Sequence, residues 1–195
     1  MGKSSRLIGM GAAVLAAVLA LFLYLQRGAP ENTAVQIGGP FVLPATTGET
    51  IDSAKLAGHP YGMFFGFTHC PEVCPTTLYD MTTTLEALGP AGKDFRMFFV
   101  TVDPARDTVE DLKTYVSNFD PRIAGLVPTD EQLQKMAHDF RVFYKKVPTS
   151  DGGYTMDHTA TVFLFNAQGE FAGTLSFGEE APSRLAKMKR LLGAS

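Results

Sequence analysis

Phe64-Phe65-Gly66-Phe67-Thr68-His69-Cys70-Pro71-Glu72-Val73-Cys74-Pro75 holds both cysteines of the chain. Its apolar opening extends back to Tyr61, is bounded by Pro60, and hands over to a helix pattern that begins at Pro75. Apolarity on both faces predicts a central strand covered on both sides. Pro75 suits the first turn of a helix, where a missing N–H costs nothing. The two thiols thus stand at a strand-to-helix junction. Unpaired backbone N–H groups and the positive end of the helix dipole favour a thiolate over a thiol there. Three residues separate the cysteines, about one helical turn, so both sulfurs can face one point. The pair can be a structural disulfide, a dithiol redox site or a soft-metal site. A bridge between residues one turn apart constrains little, which disfavours the first. The local sequence leaves the other two open.

Working outward, Leu78, Met81, Leu85 and Leu88 recur at helical spacing and Gly89-Pro90 ends the pattern. Residues 95–102 predict a second buried strand, stopped by Asp103-Pro104. Asp107-Thr108-Val109-Glu110 reads as a capping box, followed by Val109, Leu112, Val116 and Phe119 on one helix face. Gly125-Leu126-Val127 is a short strand candidate, and Thr129 with Gln132 repeats the cap ahead of Leu133, Met136, Ala137 and Phe140. Residues 141–157 look irregular around the turn Asp151-Gly152-Gly153. Residues 161–165 and 171–175 predict antiparallel neighbours joined by a short loop, before a last helix over 182–192. Upstream, residues 41–43 and 47–51 predict a hairpin. This order of elements predicts an α/β fold, a mixed sheet with helices on both faces. A thioredoxin-like architecture fits it, as do several other α/β folds.

The chain has 195 residues and a net charge of −3, so no basic surface argues for nucleic acid. Between Arg6 and Gln26 lie nineteen positions without a charge. At helical rise they span about 28 Å, the thickness of a hydrocarbon core. The run ends in Phe22-Leu23-Tyr24-Leu25, too bulky for a signal-peptide cleavage site, so it reads as an uncleaved anchor. Lys3 and Arg6 precede it, and positive flanks stay cytoplasmic. The expected organisation is a cytoplasmic N-terminus and one transmembrane helix over residues 1–26, a polar linker over 27–35 and a folded domain over 36–195. The folded domain would face the periplasm from the bacterial inner membrane. In that oxidising compartment the two cysteines can bridge when no metal protects them.

Residues 66–75 resemble the motif of the Sco/SenC family, copper-handling proteins of thioredoxin-like fold. That motif reads Gly-Phe/Tyr-Thr-x-Cys-Pro-Asp-x-Cys-Pro, and the match departs at Glu72, where Asp is usual. Asp103-Pro104-Ala105-Arg106-Asp107, Asp157-His158-Thr159 and the segment from Val162-Phe163-Leu164-Phe165 to Glu170-Phe171 extend the likeness over residues 36–193. The resemblance implies a thioredoxin-like mixed sheet flanked by helices, with an N-terminal β-hairpin extension. It also implies a site of Cys70, Cys74 and His158 for one copper ion per chain, as Cu(I) or Cu(II). Two thiolates suit Cu(I), and an imidazole serves both oxidation states. The implied role is a metallochaperone that delivers copper to the dinuclear centre of cytochrome c oxidase subunit II. Whether another periplasmic copper chaperone supplies the metal stays open.

The alternative is a thiol–disulfide oxidoreductase in which Cys70 and Cys74 reduce the cysteines of that centre. Thioredoxin-type reductants place two residues between their cysteines, against three here, and no peroxidatic motif surrounds Cys70. Among other donors, His69 is expected to point away from Cys70, His59 and His138 to be solvated, and Met81, Met136 and Met188 to fill the core. Met156 is retained as an outside candidate, and Glu72 is expected to face solvent. Asp103, Arg106 and Asp107 can shape the site or cap the next helix, and capping is the expected role.

Overall fold

The computed structural model describes residues 15–22 and 36–194. The chain divides into two units, residues 1–35 and 36–195. In the first, residues 15–22 are helical, with Leu15, Val18, Leu19, Leu21 and Phe22 exposed. No helix among the described residues is long and apolar enough to cross a membrane. The rest of the expected anchor, residues 1–14 and 23–26, and the linker over 27–35 lie outside the described residues.

The second unit begins with a hairpin of β1 (Val42–Pro44) and β2 (Thr50–Asp52), the predicted N-terminal extension. There follow β3 (Tyr61–Gly66), α1 (Val73–Leu88), β4 (Arg96–Thr101), α2 (Val109–Val116), β5 (Ile123–Leu126) and α3 (Asp130–Asp139). A second hairpin, β6 (Tyr144–Pro148) with β7 (Tyr154–His158), precedes β8 (Thr161–Phe165), β9 (Phe171–Ser176) and α4 (Ala181–Leu191). The main sheet runs β5-β4-β3-β8-β9. Its first three strands are parallel, and β8 and β9 are antiparallel to their neighbours.

Every residue of β3 is buried, because the strand is flanked on both edges and covered on both faces. On the Phe64 face, Phe99 meets Tyr115, which α2 carries, at 5.6 Å between ring centroids. Val162 and Leu175 face Met81 of α1 and Arg184 of α4 across a small cavity. On the opposite face, Phe65 meets Phe140, just after α3, at 5.6 Å, and Phe41 closes over Phe98 and Phe140. This is the mixed, doubly covered sheet expected of a thioredoxin-like architecture.

Four local readings change. Helix α1 starts at Val73, two residues ahead of Pro75, which the helix tolerates because its first four N–H groups have no intrahelical partner. Strand β5 lies two residues upstream of its expected start. The cap of α2 is Thr108, which pairs reciprocally with Asp111 rather than Asp107 with Glu110. Residues 141–157 are not irregular. They contain most of the β6–β7 ribbon, whose strands among the described residues pair only with each other and whose β6 shows no apolar alternation.

Candidate metal centre

The loop after β3 carries Cys70 and leads into α1, whose second residue is Cys74. Gly66 makes this junction possible. A Cβ there would stand 2.5 Å from the Phe99 ring and 2.8 Å from Cys74 Sγ, so a side chain would push the sulfur off the strand end. His158 arrives from the other direction, as the last residue of β7. The donor atoms of Cys70, Cys74 and His158 all lie within 4.8 Å of one another. Cys74 Sγ is 3.5 Å from His158 Nε2, and the Cys74 N–H donates to Cys70 Sγ at 3.3 Å. With metal–thiolate and metal–imidazole bonds of about 2.3 and 2.0 Å, a shared ion would set that sulfur–nitrogen separation at about 3.5 Å for a tetrahedral angle.

The imidazole is oriented for coordination. Its Nδ1 is 3.1 Å from the carbonyl of Thr159, a contact that places the ring proton on Nδ1 and leaves the Nε2 lone pair facing the sulfurs. Phe64 and Phe67 approach the ring edge-on at 6.1 and 5.8 Å, walling it against the strand end. The two sulfurs differ in charge. Cys70 is pulled down to about 4, first by the hydrogen bond from the Cys74 thiol and then by the backbone N–H groups of Cys74 and Glu72, against the opposing effect of burial. Cys74 is pushed up by the same hydrogen bond, by burial and by the charge on Cys70. The metal-free pair is therefore one thiolate, partly exposed, and one buried thiol.

Both arms rest on the turn after β4. The backbone N–H groups of Arg106 and Asp107 both donate to the carbonyl of Asp103, folding residues 103–107 tightly and sending two buried carboxylates to different tasks. Asp107 accepts from Thr68 N at 3.0 Å, from Thr68 Oγ1 at 2.6 Å and from Thr101 Oγ1 at 2.6 Å, tying the cysteine loop to β4. Asp103 accepts from Tyr154 OH at 3.0 Å and from Arg106 Nε. Arg106 Nη1 donates to the carbonyl of Tyr154 at 2.9 Å, which fastens the histidine ribbon.

The three expected donors thus converge. His69 stays exposed, its Nδ1 3.0 Å from Thr68 Oγ1, and does not join them. His59 and His138 are exposed, and Met81, Met136 and Met188 are buried in the core. Met156 is buried as well and walls a cavity with Val102, Asp103 and Leu133. Glu72 faces solvent. The reading of Asp103, Arg106 and Asp107 as helix caps is corrected, because both carboxylates are buried and committed to the site's two arms. Asp103 and Asp107, standing close after the buried run Met97-Phe98-Phe99-Val100, were the available signal. Tyr154 gave none.

A SCO2-like protein of Rickettsia prowazekii is 36% identical over 179 residues, spanning 86% of this chain and 83% of that protein. The copper-bound structure of Bradyrhizobium japonicum ScoI is 41% identical and superposes with a TM-score of 0.73 over 80% of this chain and 99% of that one. Copper-bound Arabidopsis thaliana ScoI, 30% identical, gives a TM-score of 0.75 over 80% and 98%. The SCO1/SenC profile matches residues 29–193, and on that match, over a fold and a donor set of this kind, the chain belongs to the SCO1/SenC family.

Proposed function

We propose that this chain is a copper metallochaperone that holds one copper ion on Cys70, Cys74 and His158 and delivers it to the dinuclear copper centre of cytochrome c oxidase subunit II. The observation that carries this reading is the convergence of two sulfurs and one lone-pair imidazole nitrogen within 4.8 Å, in a chain whose ScoI relatives have been solved with copper bound. Soft thiolates suit Cu(I), and the imidazole lets the same site keep Cu(II). Cys70, ionised and partly exposed, receives the ion first, and Cys74 loses its proton as it closes on the metal. In transfer, the acceptor's own cysteine and histidine ligands displace Cys70 and His158 from the open side, and buried Cys74 releases last. The apolar, exposed helix over residues 15–22 supports an inner-membrane anchor with the domain in the periplasm. Such a tether raises the effective concentration of donor near a membrane-bound acceptor.

The test is an anaerobic copper titration of the reduced protein, wild type against His158→Ala, followed by absorption spectra. One copper per chain, with a thiolate-to-Cu(II) charge-transfer band that the substitution alters, is the expected result. No tight copper in the wild type would sink the reading. The second reading, a thiol–disulfide reductase, draws on one observation: an ionised, accessible Cys70 beside a buried, protonated Cys74 is an attacking and resolving pair. Rapid stoichiometric reduction of the oxidised subunit II cysteines by metal-free protein, leaving Cys70 and Cys74 as a disulfide, would favour it.

A further inference from the structure

We infer that Arg106 and Tyr154 are positioning residues for His158, holding the β6–β7 ribbon so that its imidazole meets the cysteine pair and thereby setting the site's hold on Cu(II). The inference rests on the copper reading above. It starts from the ribbon's isolation, since β6 and β7 pair with each other and with no strand of the main sheet. A lone two-stranded hairpin is marginal in water, so its placement has to come from side chains. Along β7, alternation puts Tyr154, Met156 and His158 on one face. Met156 is buried and its two companions partly so, so this face lies against the body.

Tyr154 is where that face is fastened. Its hydroxyl donates to buried Asp103 and its carbonyl accepts from Arg106. The guanidinium lies 3.8 Å over its ring, within cation–π range. Arg106 also lies 5.9 Å over the ring of Phe67, which in turn meets His158 edge-on. One side chain therefore touches the ribbon that carries the imidazole and the ring that backs it. The turn beneath is fixed, because the Asp103 N–H donates to Thr101 Oγ1 at 3.0 Å and its carboxylate binds Arg106 Nε. Three residues separate Tyr154 from His158 along β7, four steps or about 13 Å of extended chain, so a tilt of the ribbon about Tyr154 moves Nε2 directly.

The experiment compares Arg106→Met and Tyr154→Phe, each alone and combined with His158→Ala, by Cu(II) and Cu(I) competition titrations, thermal unfolding and the nitrogen hyperfine pattern of the Cu(II) site. The expected result is a loss of Cu(II) affinity of about 10–100-fold for Arg106→Met and a smaller loss for Tyr154→Phe, with weakened imidazole hyperfine coupling. Cu(I) affinity, set by the two sulfurs, should hold. Neither substitution should weaken Cu(II) further once His158 is gone. Equal loss of both oxidation states, or a loss that persists in the His158→Ala background, would overturn the inference by showing that the residues support the fold alone. Unchanged Cu(II) binding in both single variants would overturn it too. Should Arg106→Met not fold, Tyr154→Phe decides, since it removes one hydroxyl and keeps the ring. Absence of copper binding in the wild type would instead strike the parent reading of the site.

Discussion

Cys70 and Cys74 follow directly from β3, a strand buried along its whole length between β4 and β8. His158 ends a ribbon with exposed residues on both strands and no partner in the main sheet. The thiolate half of the site is therefore built into the core, and the imidazole half is attached to it. Free energy of opening differs accordingly, since elements with few buried contacts open well below the global unfolding free energy. A site that must bind an ion and also release it can use that asymmetry. On the proposed transfer path Cys74, in the core half, holds the metal longest, and the attached half can leave it.

Four measurements bear on this comparison. Cys70→Ser or Cys74→Ser attacks the core half and should weaken copper by more than about 100-fold, exceeding what loss of a supporting residue costs, with oxidase assembly lost in the same strain. A competition titration showing near-normal affinity would break the assignment. His158→Ala attacks the attached half. It should cost Cu(II) at least as much as loss of a supporting residue does, about 10–100-fold, and Cu(I) much less, and an equal loss of both would erase the distinction between the halves. Gly66→Ala tests how tightly the core half is packed. Its Cβ would overlap Phe99 and Cys74, so thermal unfolding should report a destabilisation of about 1–3 kcal/mol. Normal stability would mean the strand end has room to shift.

The mildest test reads charge. A thiolate is the nucleophile, and Cys70 is held down to about 4. It is therefore ionised well above that value and neutral only below it. Alkylation of Cys70 in the reduced, metal-free protein should be nearly flat between about pH 6 and 8, where an unperturbed thiol of pKa about 8.5 would speed up roughly tenfold per unit. A tenfold rise per unit would show that the Cys74 contact does not hold the charge.

The cysteine pair was legible in residue type and spacing, His158 through the resemblance that Asp157-His158-Thr159 helps to carry, and β3 and α1 because their apolar patterns serve burial. The ribbon was not, since its strands carry Lys145, Lys146 and Asp157 on exposed positions and draw their order from each other rather than from the core. Asp107 was misread for a local reason. Asp is a favoured helix cap and sits beside Thr108, the actual one. What decides its role is Thr68, 39 positions away in the chain, and no window of sequence contains both. Tyr154 escaped notice because a lone tyrosine near a turn signals nothing until Asp103 and Arg106 are seen beneath it.

Cys74 and His158 stand 84 positions apart. An ion shared between them is a cross-link that closes a ring of that size, and removing so much freedom from the unfolded chain is worth about 4–5 kcal/mol by loop-closure entropy. A Cys70–Cys74 disulfide closes a ring of five residues and is worth about 2 kcal/mol by the same relation. Oxidation of the emptied thiols thus cannot replace the constraint that departs with the copper. By this reckoning the loaded and the spent protein differ in how tightly the histidine ribbon is tied to the rest.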